Sequence, residues 1–174
     1  MAIDSLVRPL LRVRLFQGLK PLQISEIAHR AERIVYQPGD VLIAENTVGD
    51  SAILIVSGDA VRVSGPPHTN PSENIPVGSL IGEMAMLIET GHTSTVVAKT
   101  HVRALRITRF GLHAQMAADP DLADFFVQKI ANRLNRIRDE LLRIDETLAN
   151  SSQRLQNYSV AHERDLIVAA PFVH

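Results

Sequence analysis

The chain has 174 residues and a formal net charge of −1, from 18 basic and 19 acidic side chains. This balance argues against binding DNA or an anionic membrane through bulk charge, because such partners select a basic surplus on one face. The absence of cysteine excludes disulfides, thiolate metal sites and a cysteine nucleophile. The length suits one domain with some additional helix.

The N-terminal residues 1–33 predict two helices. Apolar side chains at helical spacing predict an amphipathic helix over residues 4 to 16, which Gly18 ends. Pro21 suits the first turn of a second helix that reaches about Arg33. Arginines and Pro9 interrupt the apolar start, so it predicts neither a membrane span nor a signal peptide, and we expect a cytoplasmic protein.

From Ile34 to Ile107 the pattern changes to short β-branched runs separated by glycine and proline turns. Such runs at regular spacing predict an antiparallel sandwich or barrel. Gly58 and Asp59 separate two runs so closely that they predict a hairpin. The polar stretch from Ser64 to Asn74 predicts an exposed loop, and the last strand is predicted over 102–108.

One stretch of this region, GEMAMLIETGHTSTVVA at residues 82–98, combines polar groups with a glycine backbone. It predicts a helical turn, a loop and a strand. Its carboxylate, imidazole and hydroxyl groups suit a small polar ligand such as a sugar phosphate. They belong to Glu83, His92 and the run Thr93, Ser94 and Thr95.

The rest of the chain predicts helices. One helix ends near Asp119, and Pro120 begins a long helix that reaches about residue 149. Its apolar residues step by three and four, which predicts a homodimer through residues 120–148. They are Val127, Ile130, Leu134, Ile137, Leu141, Ile144 and Leu148.

Charges beside this stripe leave an alternative open. In a parallel pair, Arg133 would face Arg138 and Glu140 would face Asp145, and both contacts join like charges. The stripe could instead pack on the sheet. The tail at 150–174 is too short for a DNA-binding helix-turn-helix domain and suits either a docking segment or a flexible end.

These elements together resemble the cyclic nucleotide-binding domain of catabolite-activator-like regulators, kinase regulatory subunits and gated channels, over about residues 6 to 148. The matching pieces are LFQGL at 15–19, QPGDVLI at 37–43, VGDSAILIVSGDAVRV at 48–63, the phosphate cassette at 82–98, and VRALRI at 102–107. The resemblance implies a mainly β fold with flanking helices. Its parts would be N-terminal helices at 1–33, an antiparallel β-roll (jelly roll) with a closing helix at 34–119, a dimerisation helix at 120–149 and a tail.

The resemblance also implies roles for individual residues of the cassette. Gly82 and Glu83 would serve the ribose, and backbone amides of the turn through Met84 and Ala85 would receive the cyclic phosphate, as helix N-termini do. Thr93 would hydrogen-bond the phosphate, with Ser94 at the family's next position.

His92 stands where family members usually carry arginine. An imidazole is mostly neutral at pH 7 and offers one donor in that direction, whereas a guanidinium offers two and is always charged. Losing a buried, charge-assisted contact of this kind costs about 2 to 5 kcal/mol of binding free energy. Arg138, which the resemblance places near the base, could supply positive charge from its own or the partner subunit.

The sequence therefore predicts a regulatory sensor that binds cyclic AMP, cyclic GMP or a related small phosphate ligand, weakly because of His92. No cofactor, metal or DNA is expected. The alternative is an empty domain that serves as a dimeric scaffold for another protein. Enzyme classes are disfavoured because no His-X-His metal motif occurs and no glycine elbow surrounds a nucleophile.

Overall fold

The structure is a computed structural model that describes residues 7–63 and 73–168, with the backbone alone for 153–168. It divides into one unit that ends at Val127 and a second that begins at Gln128.

Two helices, α1 (Val7–Leu11) and α2 (Pro21–Arg30), precede the sheets, with a 3-10 turn at Arg14–Phe16 between them. The single helix predicted over 4–16 is therefore wrong within the described residues. Val13 is extended, with φ −71° and ψ 123°, and it separates α1 from the turn. The break allows Val13 and Phe16 both to be buried, and the Phe16 ring packs edge-on against Phe126 with centroids 6.3 Å apart.

The strands form an antiparallel β-roll, as predicted. One sheet has the order β1-β10-β4-β7, a second has β2-β9-β5-β6, and a short ribbon joins β3 to β8. Their inner faces share an apolar core. The described strands are β1 (Glu32–Tyr36), β2 (Val41–Ile43), β3 (Val48–Gly49), β4 (Ser51–Ser57), β5 (Ala60–Val63), β6 (Glu73–Ile75), β7 (Leu80–Ile81), β8 (Thr90–Gly91), β9 (Thr95–Ala98) and β10 (Val102–Thr108).

The link between β4 and β5 is a corner between sheets and not the predicted hairpin. Although only Gly58 and Asp59 separate the two strands, β4 pairs with β10 and β7, whereas β5 pairs with β9 and β6. Gly58 has φ +91°, and a methyl group there would lie 2.2 Å from the carbonyl oxygen of His101. Only glycine fits this corner, because it combines a left-handed backbone with a close backbone neighbour.

Helix α3 (Arg109–Ala118) follows β10 directly, and α4 (Pro120–Val168) begins at the predicted proline. Asp119 lies between them and accepts hydrogen bonds from the Leu122 amide at 3.2 Å and the Gln23 side chain at 2.7 Å. The predicted end of α4 near residue 149 is wrong, because the helix continues to Val168. Neither glycine nor proline interrupts 150–168.

The predicted loop and the predicted tail fall partly outside the described residues. Most of the predicted loop, residues 64–72, and the end of the tail, 169–174, lie outside the described residues. None of the described helices is both long and apolar enough to cross a membrane.

Candidate functional site

The stretch that opens at Gly82 folds as a hydrogen-bonded turn over Glu83–Leu87. The Ala85 amide donates to the Gly82 carbonyl at 2.9 Å, and the Ile88 amide donates to the Met84 carbonyl at 2.9 Å. Gly82 has φ +68°, and a methyl group there would lie 3.2 Å from the Ser51 carbonyl oxygen. Glycine therefore lets the chain leave β7 and enter the turn beside β4.

Buried side chains anchor the second half of this turn. Ala85, Met86 and Leu87 are buried, whereas Glu83 and Met84 are only half-buried. The start of the turn is therefore more accessible than the three residues that follow it. The Ala85 amide, expected to receive a phosphate, already has a partner within the turn.

The structure brings His92 against this turn. A methyl group at Gly82 would lie 3.1 Å from His92 Cε1, and one at Gly49 would lie 2.5 Å from His92 Nε2 and 2.6 Å from Ala85 Cβ. The ring thus occupies the space that two glycines leave open. Backbone bonds hold it there, because the His92 amide donates to Thr47 O at 3.0 Å and its carbonyl accepts from Asn46 N at 2.9 Å.

The three hydroxyl residues after His92 differ in their surroundings. Thr93 is exposed, Ser94 is buried, and Thr95 Oγ1 accepts a hydrogen bond from the Glu45 amide at 3.0 Å. Of the three, Thr93 is therefore placed to meet a ligand from solvent. The Thr95 hydroxyl connects β9 to the segment after β2.

A cavity of about 310 Å³ opens between the edges of the two sheets, and His92 lines it together with residues of β1, β2 and the β3–β4 segment. None of the other residues predicted to bind the ligand lines this cavity. Arg106 and Asp50 face it as an ion pair, with Arg106 Nη2 2.9 Å and 3.0 Å from the two Asp50 carboxylate oxygens. The Ser51 hydroxyl accepts from Arg106 Nε at 3.0 Å and donates to Asp50 Oδ1 at 2.8 Å.

This cluster is internally satisfied. The Ser51 hydroxyl and the Arg106 guanidinium hold the pKa of the Asp50 carboxyl below its usual value, and Asp50 raises the pKa of Arg106. Glu32 adds a third acceptor 3.4 Å from Arg106 Nη1. The charge of Arg106 is therefore balanced by its own neighbours and is not directed at an anion in the cavity.

Helix α3 holds the turn from its other side, through two residues that the sequence analysis missed. Arg109 Nη1 lies 3.3 Å from Gly49 O and 3.5 Å from Ala85 O, and His113 Nε2 donates to Leu87 O at 2.8 Å. Arg109 and His113 are four residues apart and share a helix face. That spacing, directly after a strand, is the signal that could have identified them.

Arg138 lies in the second unit, where it is exposed and pairs with Asp139 at 2.9 Å. Its proposed role toward the cassette remains a prediction. Within the described part of the chain, no three histidine or carboxylate side chains form a group that could hold a metal ion.

Comparison with known proteins connects these features to one family. The family model described as "Cyclic nucleotide-binding domain" matches residues 33–119, which is half of the chain. The match covers the roll from Arg33 onward, the turn at Gly82 and helix α3.

Individual relatives agree with this match. A cAMP-dependent protein kinase regulatory subunit from Aspergillus niger is 30% identical over 110 residues, which cover 63% of this chain and 26% of that protein. A CRP-like cAMP-activated global transcriptional regulator from Mycobacterium tuberculosis is 26% identical over 136 residues, covering 76% of this chain and 60% of that protein. The chain thus spans about a quarter of the first relative and three fifths of the second.

A solved structure shares the architecture. The structure of a cyclic nucleotide-binding-like protein from Brucella abortus superposes with a TM-score of 0.59 at 28% identity, covering 64% of this chain and 97% of that one. The named relatives are a regulatory subunit, a transcriptional regulator and a binding-like protein.

Proposed function

Because the chain belongs to the cyclic nucleotide-binding domain family, we propose that it is a regulatory module that binds cyclic AMP, cyclic GMP or a related small phosphate ligand. The ligand would lie on the turn from Gly82 to Ala85, with Thr93 beside it. The observation that carries this proposal is the position of His92, whose ring borders the start of the turn at Gly82 and shares the space beside Gly49 with Ala85.

The backbone of this turn supports an anion site. Successive amides in a turn that follows a left-handed residue can form a concave surface that accepts an anion. Gly82 supplies the left-handed residue, and the half-buried Glu83 follows it with a carboxylate suited to a ribose hydroxyl. The exposed Thr93 hydroxyl adds a neutral donor on the same stretch.

Affinity depends on positive charge at the phosphate. His92 contributes one donor at most, and it carries charge only when the ring is protonated, which lower pH favours. Arg138 is a second source in this proposal, from the same subunit or its partner. We therefore expect weak binding that strengthens as the pH falls.

Calorimetric titration with cyclic AMP and cyclic GMP at pH 6 and pH 7.5 tests the proposal. The wild type should bind at least one nucleotide, and more tightly at pH 6. His92→Arg should tighten binding by about 30-fold or more, since it restores a charge-assisted pair. His101→Arg, at an exposed residue before β10, is the matched control and should bind as the wild type does.

A second candidate function, a dimeric scaffold, is favoured by the surface of α4. Leu134, Ile137, Leu141, Ile144 and Leu148 are all exposed on this helix, at spacings of three and four residues. We propose that a second copy of the chain covers this stripe along residues 120–148. If neither the wild type nor His92→Arg releases heat or gains thermal stability with either nucleotide, the scaffold function replaces the sensor function.

A further inference from the structure

A small cavity lies where helices α2 and α3 meet the end of β10. Its volume is about 10 Å³, which is close to what a single water molecule needs. Three residues bring polar side chains to this cavity, and they are Arg30, Thr108 and Gln115. The rest of the described lining is apolar and consists of Ile27, Ile107, Gly111 and Leu112.

Gln115 is the buried member of the three polar residues, with 2% of its surface exposed. Its side-chain nitrogen Nε2 donates to the Gln23 carbonyl oxygen at 3.2 Å and to a Glu26 carboxylate oxygen at 3.1 Å, which uses both N–H groups. Because both partners are acceptors, reversing the amide would place its oxygen against them. The orientation of the side chain is therefore fixed, and the group that still needs a partner is the oxygen.

The side-chain oxygen of Gln115 lacks a donor. Oε1 is buried and makes no hydrogen bond within the part of the chain that the structure describes. Helices α2 and α3 and strand β10 are each described along their whole length. A buried acceptor without a donor is costly, and in folded proteins such groups are satisfied by the protein or by ordered water.

Two donors line the cavity without bonding directly to Oε1. The Thr108 hydroxyl accepts from the Gly111 amide at 3.1 Å, which leaves its own proton to donate. Arg30 carries a guanidinium, but this residue is exposed and lies on the solvent side. One water molecule between Gln115 Oε1 and Thr108 Oγ1 can donate to the first oxygen and accept from the second.

We propose that this cavity binds one water molecule, which donates a hydrogen bond to Gln115 Oε1 and accepts one from the Thr108 hydroxyl. The volume is too small for an organic ligand. A cation is disfavoured, because Arg30 adds positive charge and the described lining brings no carboxylate. The inference does not depend on the proposed function. Helix α3 also contacts the turn of the candidate site through Arg109 and His113, so the water strengthens the attachment of the helix that holds this turn.

High-resolution crystal structures test the site. In the wild type, a water should lie within about 3.2 Å of both oxygens. Gln115→Met keeps the length of the side chain without the amide, Thr108→Val keeps the shape without the hydroxyl, and both should lose the water. Thr108→Ser keeps the hydroxyl and should retain it. Thr100→Val is the matched control, because it removes a hydroxyl that accepts from the Asp59 amide at 2.9 Å outside the cavity, and it should retain the water as well.

A double-mutant cycle tests the same contact in solution, with urea unfolding as the measurement. If Gln115 and Thr108 share one water, Thr108→Val should destabilise the wild type more than it destabilises Gln115→Met. The difference should be at least about twofold in the unfolding equilibrium constant. Thr100→Val should have the same effect in both backgrounds.

An empty cavity in the wild-type crystal, or an Oε1 that is bonded directly to Arg30, would overturn the inference. A water that persists in Gln115→Met or in Thr108→Val would overturn it too, as would equal effects of Thr108→Val in the two backgrounds. If Gln115→Met does not fold, the wild type and the two Thr108 variants still decide the question.

Discussion

His113 Nε2 lies 2.8 Å from the carbonyl oxygen of Leu87, which connects helix α3 to the end of the turn that carries the candidate site. The contact is partly buried and joins residues that lie in different elements. A neutral hydrogen bond of this kind contributes about 1 kcal/mol to stability.

Replacing His113 by alanine should lower the free energy of unfolding by about 1 to 2 kcal/mol, because the Leu87 carbonyl loses its donor. Urea unfolding measures this loss. His101→Ala removes an exposed imidazole and should have little effect. If the two alanine variants are equally stable, the hydrogen bond to Leu87 does not contribute.

Gly49→Ala should destabilise the roll by about 1 to 3 kcal/mol, since the added methyl group meets both His92 and Ala85. Gly91→Ala is a matched control, because the nearest atom to its methyl group would be Thr47 O at 3.8 Å. Combining Gly49→Ala with His92→Ala removes one of the two neighbours and should recover part of the loss. Thermal unfolding of the four proteins tests this, and equal stability of the two glycine variants would contradict it.

The Asp50–Arg106 pair should make stability sensitive to acid. The folded protein holds the pKa of Asp50 below its usual value of 3.8, so it binds this proton less readily than the unfolded chain does. The stabilising contribution is complete above the usual value and is lost as the pH falls through the lowered one. Wild-type stability should therefore fall between about pH 5 and about pH 2 more steeply than that of Asp50→Asn.

Arg106→Met tests the cause of this sensitivity. It removes one of the groups that lower the pKa of Asp50, so its acid-dependent loss should be intermediate between the wild type and Asp50→Asn. Urea unfolding across the pH range provides the measurement. An acid dependence identical in all three proteins would show that the pair does not contribute.

The exposed stripe of α4 should hold a dimer together. Replacing Leu134 and Ile137 by aspartate buries charge in the proposed interface, and we expect a monomer in sedimentation equilibrium. Asn132→Asp with Asn135→Asp adds the same charge away from the stripe and should leave the dimer intact. A wild type that sediments as a monomer would refute this interface.

Local sequence patterns predicted where helices and strands lie better than they predicted which strands pair with one another. Proline and glycine punctuation located β10, α3 and the start of α4, but it could not show which sheet a strand enters. Gly58 and Asp59 therefore suggested a hairpin, whereas the pairing of β4 and β5 with different strands is visible only in three dimensions. The end of α4 was missed because polar residues without glycine or proline do not determine whether a helix stops.

In the candidate site, too, the local stretch could be predicted from the sequence, but its contacts with other elements could not. The stretch that begins at Gly82 could be identified from its residue types, and the match to the family confirms the resemblance. The contact of His92 with Gly49 depends on a strand far away in the sequence. The spacing of Arg109 and His113 places them on one helix face, but their contacts with the turn are visible only in three dimensions.

The position of β10 in its sheet also limits the order in which the chain can fold. Strand β10 lies between β1 and β4, and its register places Arg106 beside Glu32. During synthesis, β1 and β4 must leave the ribosome without their shared neighbour and remain unpaired with it until β10, which ends at Thr108, has emerged as well. Contacts so distant in sequence slow folding and leave apolar strands exposed meanwhile. The nascent roll is therefore most vulnerable to aggregation in the interval before β10 emerges.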